Sequence, residues 1–343
     1  MTLRVETLDS HSAGRWDNYV QHTAAATFFH RAGWKTVLES AFGHKTYFLY
    51  AQEAGEIVGV LPLAQVKSAL FGNSLSALPF CVYGGIVASN ERAAQALREE
   101  ACRLAESLKV DALEMRNREA STANWPVKEL YYTFRKAIDP DDEVNLKAIP
   151  NRQRAMVRKA IEEGLLSEWD QGVERLYSVY AESVRNLGTP VFSIRYLRIL
   201  SQVFGSDCSV LMITHNERDV AGVLSFYFRD EVIPYYGGST ASSRDIKGVN
   251  HFMYWELMRR SGAQGYRLFD FGRSKAGTGP YSFKKNFGFE PQALPYEYYL
   301  VTSDTMPDVN PLNPKYRLMI NTWSKLPLPV ANFIGPFLAR SLG

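Results

Sequence analysis

The sequence is poor in the residues that build disulfide and metal sites. Its 343 residues include three cysteines, Cys81, Cys102 and Cys208, far apart in the chain. An odd, scattered count gives no disulfide framework, and no Cys-x-x-Cys or His-x-Cys pairing supplies a zinc site. His30 and His251 have no partner at ligand spacing, so no metal is expected. No apolar run reaches the roughly 20 residues that cross a bilayer. The start, Met1–Thr7, lacks a charged-then-apolar leader pattern. A cytoplasmic location is the expectation. An excess of one charge is also missing. The 39 basic and 36 acidic residues leave a net charge of +3, which does not by itself indicate nucleic acid.

Several mechanistic motifs are absent too. Gly272–Gly279 is glycine-rich but is not closed by Gly-Lys-Ser/Thr, and no Gly-x-Gly-x-x-Gly occurs. No Gly-x-Ser-x-Gly elbow marks an acyl-enzyme nucleophile.

What is present is apolar and aromatic: 46% and 13% of the chain, enough for packed cores. At about 150 residues per domain, the length suggests two domains. A repeat explains them. Thr27–Leu38, running on to Phe42-Gly43, aligns without a gap with Thr189–Leu200 and Phe204-Gly205, offset by 162. The strand patterns Tyr47–Ala51 and Ser209–Ile213 follow at the same offset. Gly59-Val60-Leu61 then meets Gly222-Val223-Leu224, and Tyr83-Gly84-Gly85 meets Tyr236-Gly237-Gly238. The first copy carries extra residues near Lys67–Ser76, where Phe71-Gly72-Asn73 reads as a turn. In each copy a helix follows the Gly-Gly and leads to a short strand, Ala112–Arg116 or Arg267–Phe271. Helices, a strand, a hairpin, a helix and a strand predict an α+β unit with a mixed, largely antiparallel sheet.

This order, used twice, resembles a tandem GNAT-like (acyl-CoA N-acyltransferase-like) fold. Two stretches narrow the resemblance: Phe269–Ser274 followed by Gly279–Gly288, and Ile149–Gly164 at the join of the copies. Together they are similar to the FemAB family of acyl and aminoacyl transferases. The subgroup they most resemble is the one associated with exopolysaccharide and PEP-CTERM/exosortase systems. The expected layout is residues 1–145 as GNAT-like domain 1 and 146–305 as GNAT-like domain 2 with the active site. Residues 306–343 would form a linker, Pro307–Pro314, and a tail packing back on domain 1.

The resemblance implies transfer of an acyl or aminoacyl group to an amine on a cell-envelope or exopolysaccharide precursor. No resident cofactor is implied; the donor is aminoacyl-tRNA or acyl-CoA, and the acceptor a small-molecule or lipid-linked precursor. Transfer needs an aligned carbonyl, a deprotonated amine and donors for the developing oxyanion. Backbone N–H groups near Tyr235-Tyr236-Gly237-Gly238 are the candidate donors, since glycine permits close approach. Tyr235 and Tyr236 point to opposite strand faces, and either one faces the substrate. The resemblance gives Lys284 the charge on the transferring carbonyl, with Lys285 competing. Asp270, at a strand end, orients the amine or takes its proton. Arg273 either pairs with Asp270 or clamps an anionic acceptor. Tyr281 and Arg195 complete the candidate substrate contacts. Asp270→Ala and Lys284→Ala are expected to leave the melting temperature nearly unchanged. Arg244–Asn250, where GNAT enzymes carry an acetyl-CoA loop, does not match that loop.

Two features leave alternatives. A basic helix at the join has Arg152, Arg154, Arg158 and Lys159 on one side and Met156, Val157, Ala160 and Ile161 on the other. It is either a solvated face or a contact for tRNA, a phosphorylated lipid or an anionic membrane. The tail Leu326–Ala339 is apolar and broken by prolines; it packs on the protein or touches a membrane face or partner. A non-catalytic component of an envelope-polysaccharide system, or a CoA-dependent N-acetyltransferase, are the competing functions.

Overall fold

A computed structural model describes residues 2–68, 72–307 and 314–342, with side chains described outside 314–318. Phe71, in the expected copy-one turn, and most of the Pro307–Pro314 linker lie outside the described residues.

The first part of the chain forms β1 (Arg4–Thr7), α1 (Ala13–His22), α2 (Gly33–Phe42), β2 (Lys45–Glu53), β3 (Glu56–Ser68) and β4 (Gly72–Ala77). It continues with β5 (Val87–Ala88), α3 (Glu91–Ser107), β6 (Ala112–Arg116) and β7 (Val127–Ala137). Then come α4 (Asp142–Lys147), α5 (Asn151–Glu162), β8 (Leu166–Asp170), α6 (Glu174–Asn186), α7 (Ile194–Phe204), β9 (Cys208–His215) and β10 (Arg218–Phe228). The rest is β11 (Glu231–Ser239), α8 (Val249–Ala263), β12 (Leu268–Asp270), β13 (Ser274–Lys275), α9 (Gly279–Asn286), β14 (Pro291–Leu300), α10 (Pro314–Trp323) and α11 (Leu328–Ala339).

The chain divides into two compact units. Unit 1 is 1–131 with 293–308 and 340–343; unit 2 is 132–292 with 309–339. The sheet of unit 1 runs β1-β2-β3-β4-β6-β14, and that of unit 2 runs β8-β9-β10-β11-β12-β7. In both, the first three pairings are antiparallel, the fourth is parallel and the last is antiparallel. The repeat is therefore a repeat of topology. The aligned α2 and α7 each open the common run of helix, three strands, helix and strand.

The boundary differs from the expected 145/146, for a topological reason. The last strand of each sheet comes from the end of the other copy. Unit 2 begins at Tyr132, inside β7, because Arg135–Ala137 pair with Leu268–Asp270. Unit 1 takes back Ala293–Asp308 because Tyr296–Leu300 pair with Ala112–Arg116. The tail also departs from expectation. α11 packs on α6 in unit 2, with Ala331, Gly335 and Ala339 buried. Small residues allow this: the position of a Cβ on Gly335 lies 3.0 Å from the Val191 backbone. Only Arg340 onward belongs to unit 1, where the Arg340 carbonyl meets His44 Nε2 at 2.9 Å.

The Tyr-Gly-Gly match is not structural. Leu78 and Phe80, at φ +60° and +68°, end β4 early. Tyr83-Gly84-Gly85 then forms a loop whose two glycine N–H groups donate to the Arg116 carbonyl, each at 3.2 Å. Tyr236-Gly237-Gly238 instead lies inside β11, paired with Gly222–Leu224 of β10.

Gly238 fits the approach of α6. A Cβ there would lie 2.5 Å from Ser183 Cβ and 2.7 Å from its Oγ. Gly238→Ala should destabilise unit 2 by about 1–3 kcal/mol through overpacking. Circular-dichroism melting should show a fall of several degrees; an unchanged midpoint would mean that α6 yields without cost.

Candidate active site

The site grows from the place where two parallel strands part. β11 and β12 pair only at Glu231/Leu268 and Val232/Phe269. β11 then runs on to Ser239, while β12 ends at Asp270. Phe269 and Phe271 commit this segment to the core, so Asp270 enters an apolar setting with its side chain fully buried. A buried carboxylate needs partners, and three are present. Thr133 Oγ1 donates to Oδ1 at 3.2 Å, the Gly272 N–H donates to Oδ1 at 2.7 Å, and Arg135 Nε lies 3.2 Å from Oδ2. Arg135 also pairs with Glu231. One arginine thus ties β11, β12 and β7 together beside the split.

Lys284 follows from α9, which starts with Pro280 near its N-terminus and turns one face inward. The lysine is buried, 9% exposed, rather than a solvated loop residue. Its ammonium donates to the carbonyls of Phe271 (2.7 Å), Gly272 (3.1 Å) and Arg273 (3.3 Å). It also sits over the rings of Phe134 and Phe271, 5.6 Å from each centroid. Burial pushes it down to about 7, with the charge of Asp270 pulling it back up and that of Arg273 adding to the fall. Asp270 and Lys284 therefore meet on one turn, Phe271–Arg273.

The other expected residues are spread around this turn. Arg273 is half-buried, and its carbonyl serves Lys284. Tyr281 packs edge-on against Tyr132 and Phe134, with centroids at 5.5 and 5.3 Å. Lys285 is exposed on α9, and Arg195 is exposed in the first turn of α7. Tyr235 is the bulged residue of β11: the register jumps from Leu224/Tyr236 to Ser225/Pro234. Tyr236 is the buried member of the pair. Its hydroxyl shares a 2.8 Å hydrogen bond with that of Tyr196, and its ring touches Tyr180 and Phe192. The two tyrosines thus build an aromatic cluster against α6 and α7. Gly237 and Gly238 stand in the β10–β11 ladder, and the room at Gly238 is taken by α6, which corrects the expectation that a ligand approaches there.

Two more expectations are revised. Burial and bonding of Asp270 and Lys284 mean that truncating either one costs stability, contrary to the unchanged melting expected. On α5, Val157 and Ala160 are buried, but Ile161 is 46% exposed. Arg154 is turned back onto Ile149, Lys147 and Asn151, leaving Arg152, Arg158 and Lys159 outward. Gly248, at φ +79°, caps α8 close under the Met156 carbonyl of α5.

Sequence reasoning missed a cavity in unit 1, of about 680 Å³, lined by none of the expected residues. It lies between the Tyr83–Ala88 loop, the start of α3 and the Arg116–Trp125 segment. Glu297 of β14 lines it, held by the N–H and hydroxyl of Ser121. Arg118, half-buried on its wall, has its guanidinium 5.5 Å from the centre of the Tyr83 ring. Among the described residues no group of three or more His, Cys, Asp or Glu is placed to hold a metal ion.

The comparisons agree with this geometry. A family model described as an acetyltransferase (GNAT) domain matches residues 151–285, which contain the strand split, Asp270 and Lys284. The crystal structure of FemX is similar at 16% identity and a TM-score of 0.66, over 92% of this chain and 100% of that one. L-PGS from Bacillus licheniformis is similar at 14% identity and 0.58, over 96% and 98%. A tandem GNAT protein from the clavulanic acid biosynthesis pathway is similar at 13% and 0.56, over 89% and 100%. No curated protein matches. The chain has a tandem GNAT fold.

The Lys284 environment has a measurable consequence. Its folded-state value lies below the ordinary lysine value, so between about 7 and 10.5 the unfolded chain binds more protons. Stability should therefore rise with pH across that window and level off below it. Comparing thermal melts of wild type and Lys284→Met at pH 6, 8 and 9.5 isolates the effect. The difference should shift in favour of wild type as pH rises; a constant difference would contradict the depressed value.

Proposed function

We propose that the protein is an N-acyl or aminoacyl transferase whose chemistry lies at the β11/β12 split of unit 2. The observation that carries this reading is the parting of those parallel strands beside the Asp270–Lys284 turn, inside the segment matched by the acetyltransferase model. The donor carbonyl lies along β11, where the bulge at Tyr235 breaks the regular ladder. An acceptor amine attacks it; the new C–N bond forms as the donor's ester or thioester bond breaks, and the proton the nitrogen loses leaves with the departing hydroxyl or thiol. Lys284 lends positive charge to the developing oxyanion, and Asp270 holds the turn that presents it. Tyr236 is a positioning residue through Tyr196. Arg273, Tyr281, Lys285 and Arg195 are the candidate substrate contacts around it.

Donor and acceptor are read from chemistry and resemblance together. Acyl-CoA and aminoacyl-tRNA are the donor classes, and an amine on a cell-envelope or exopolysaccharide precursor is the acceptor. FemAB-like similarity, including the PEP-CTERM-associated subgroup, supports that acceptor. In the unit 1 cavity, taken by itself, Arg118 suits an acidic group on a small molecule, since a guanidinium stacked on a ring keeps its donors available for a carboxylate or phosphate.

One observation favours a second reading, a non-catalytic binding component: Lys284 and Asp270 already bind groups of the protein itself. Transfer assays with labelled acetyl-CoA and, separately, aminoacyl-tRNA decide between them, with product amines identified by mass spectrometry. Lys284→Met and Asp270→Asn, confirmed folded, should lower transfer by about 10²–10³-fold, the loss typical of one oxyanion donor. Full activity in both removes the site. No transfer from either donor, with no calorimetric binding of acetyl-CoA, supports the binding component.

A further inference from the structure

α11 wears its hydrophobicity on the outside. A helix docked on a protein normally turns its large apolar side chains inward and its polar ones to water. Here the docked face is Ala331, Gly335 and Ala339, and the outward stripe is Val330, Phe333, Ile334 and Phe337. Those four positions follow the i, i+3, i+4, i+7 spacing of one helical face. Phe333 is 74% and Phe337 64% exposed, and their rings meet at 6.2 Å. No other described phenylalanine is exposed. The helix, Leu328–Ala339, contains no charged residue.

The surrounding charge indicates what covers this stripe. From Val309 to Gly343 the sequence has Lys315, Arg317, Lys325 and Arg340 and no acidic residue. Lys325 and Arg340 flank α11 and are exposed. An apolar ridge with phenylalanines, bracketed by cations alone, is the pattern of a helix that lies in the headgroup region of an anionic bilayer. A second copy of the chain fits less well. A 12-residue helix presents a ridge of only about 18 by 10 Å, well under the roughly 800 Å² per partner of a stable interface. Among the described residues no helix is long and apolar enough to cross a membrane, so the contact is with one surface.

We propose that α11 is an interfacial anchor that docks the protein on an anionic lipid surface, with Phe333 and Phe337 inserted and Lys325 and Arg340 at the headgroups. The test is flotation of the full chain with vesicles of phosphatidylcholine alone and of phosphatidylcholine with one-quarter phosphatidylglycerol, at 0.1 M salt. Binding should be at least tenfold tighter to the anionic vesicles. Phe333→Ser with Phe337→Ser should weaken it at least tenfold without lowering the melting temperature, because both side chains are exposed. Lys325→Glu with Arg340→Glu should abolish the preference for phosphatidylglycerol while leaving the melt unchanged. Three results overturn the proposal: no flotation with anionic vesicles, undiminished flotation of the double serine variant, or a solution dimer in analytical ultracentrifugation that this variant dissociates.

Discussion

The structure of unit 2 depends on one half-buried cation, Arg135. It stands on β7, directly opposite Asp270 in the antiparallel register, and reaches Glu231 on β11. β11 and β12 share only two paired positions, too few to fix their divergence by backbone hydrogen bonds alone. The Glu231–Arg135–Asp270 linkage fixes it with charge instead. Removing one member of a buried pair typically costs about 3–5 kcal/mol. The same contact thus ties the three strands together at the split.

In unit 2 that cation arrives on the closing strand; in unit 1 the arginine, Arg116, stands on β6 and the closing strand meets it. In unit 1, β14 places Tyr296 opposite Arg116, whose guanidinium lies 5.7 Å from the Tyr296 ring centre. Arg116 is 1% exposed and is satisfied by Glu114 and by the carbonyls of Leu78 and Cys81. The next residue on β14, Glu297, faces the cavity. Both sheets therefore have an arginine near the parallel strand pair, fully buried in unit 1 and half-buried in unit 2, and they use it differently. Unit 2 fills the space beyond β12 with Lys284 and the phenylalanines around it. Unit 1 leaves that region as a cavity, because Gly84 and Gly85 draw the loop onto the Arg116 carbonyl and away from a strand path. The duplication has kept the frame and divided the contents.

This also marks what the sequence made legible. The repeat, the order of elements and the mixed sheet followed from periodicity and offset, because each depends on residues close together in the chain. That Asp270 and Lys284 lie near one another was legible for the same reason: one short loop and helix α9 connect them. Arg135, Thr133 and Glu297 were not found, since alignment of the copies assigns each strand to its own copy and hides the exchange. The Tyr-Gly-Gly pairing failed because left-handed Leu78 and Phe80 redirect the chain, and neither residue type announces that conformation. Gly238 was read as a point where a ligand comes close; glycine does not say what approaches, and the structure puts Ser183 of α6 there. The tail was recognised as apolar, yet its direction was hidden, because small residues took the docking role usually given to large ones.

Lys284 shows why a buried charge serves this turn better than an apolar side chain. Gly272, at φ +63°, turns Phe271–Arg273 so that three successive carbonyls converge on one point. No strand partner supplies that many donors in one place. An ammonium has three, matching the three acceptors, and a leucine of similar reach would leave all of them buried and unpaired. On the other side of the same turn, Asp270 accepts the Gly272 N–H. The turn is thus held between an anion at its amide and a cation at its carbonyls. Burial works against the cation while the carbonyls and Asp270 favour it, so the proton on Lys284 is held by closely balanced forces. A group in that balance responds strongly to any charge brought near it.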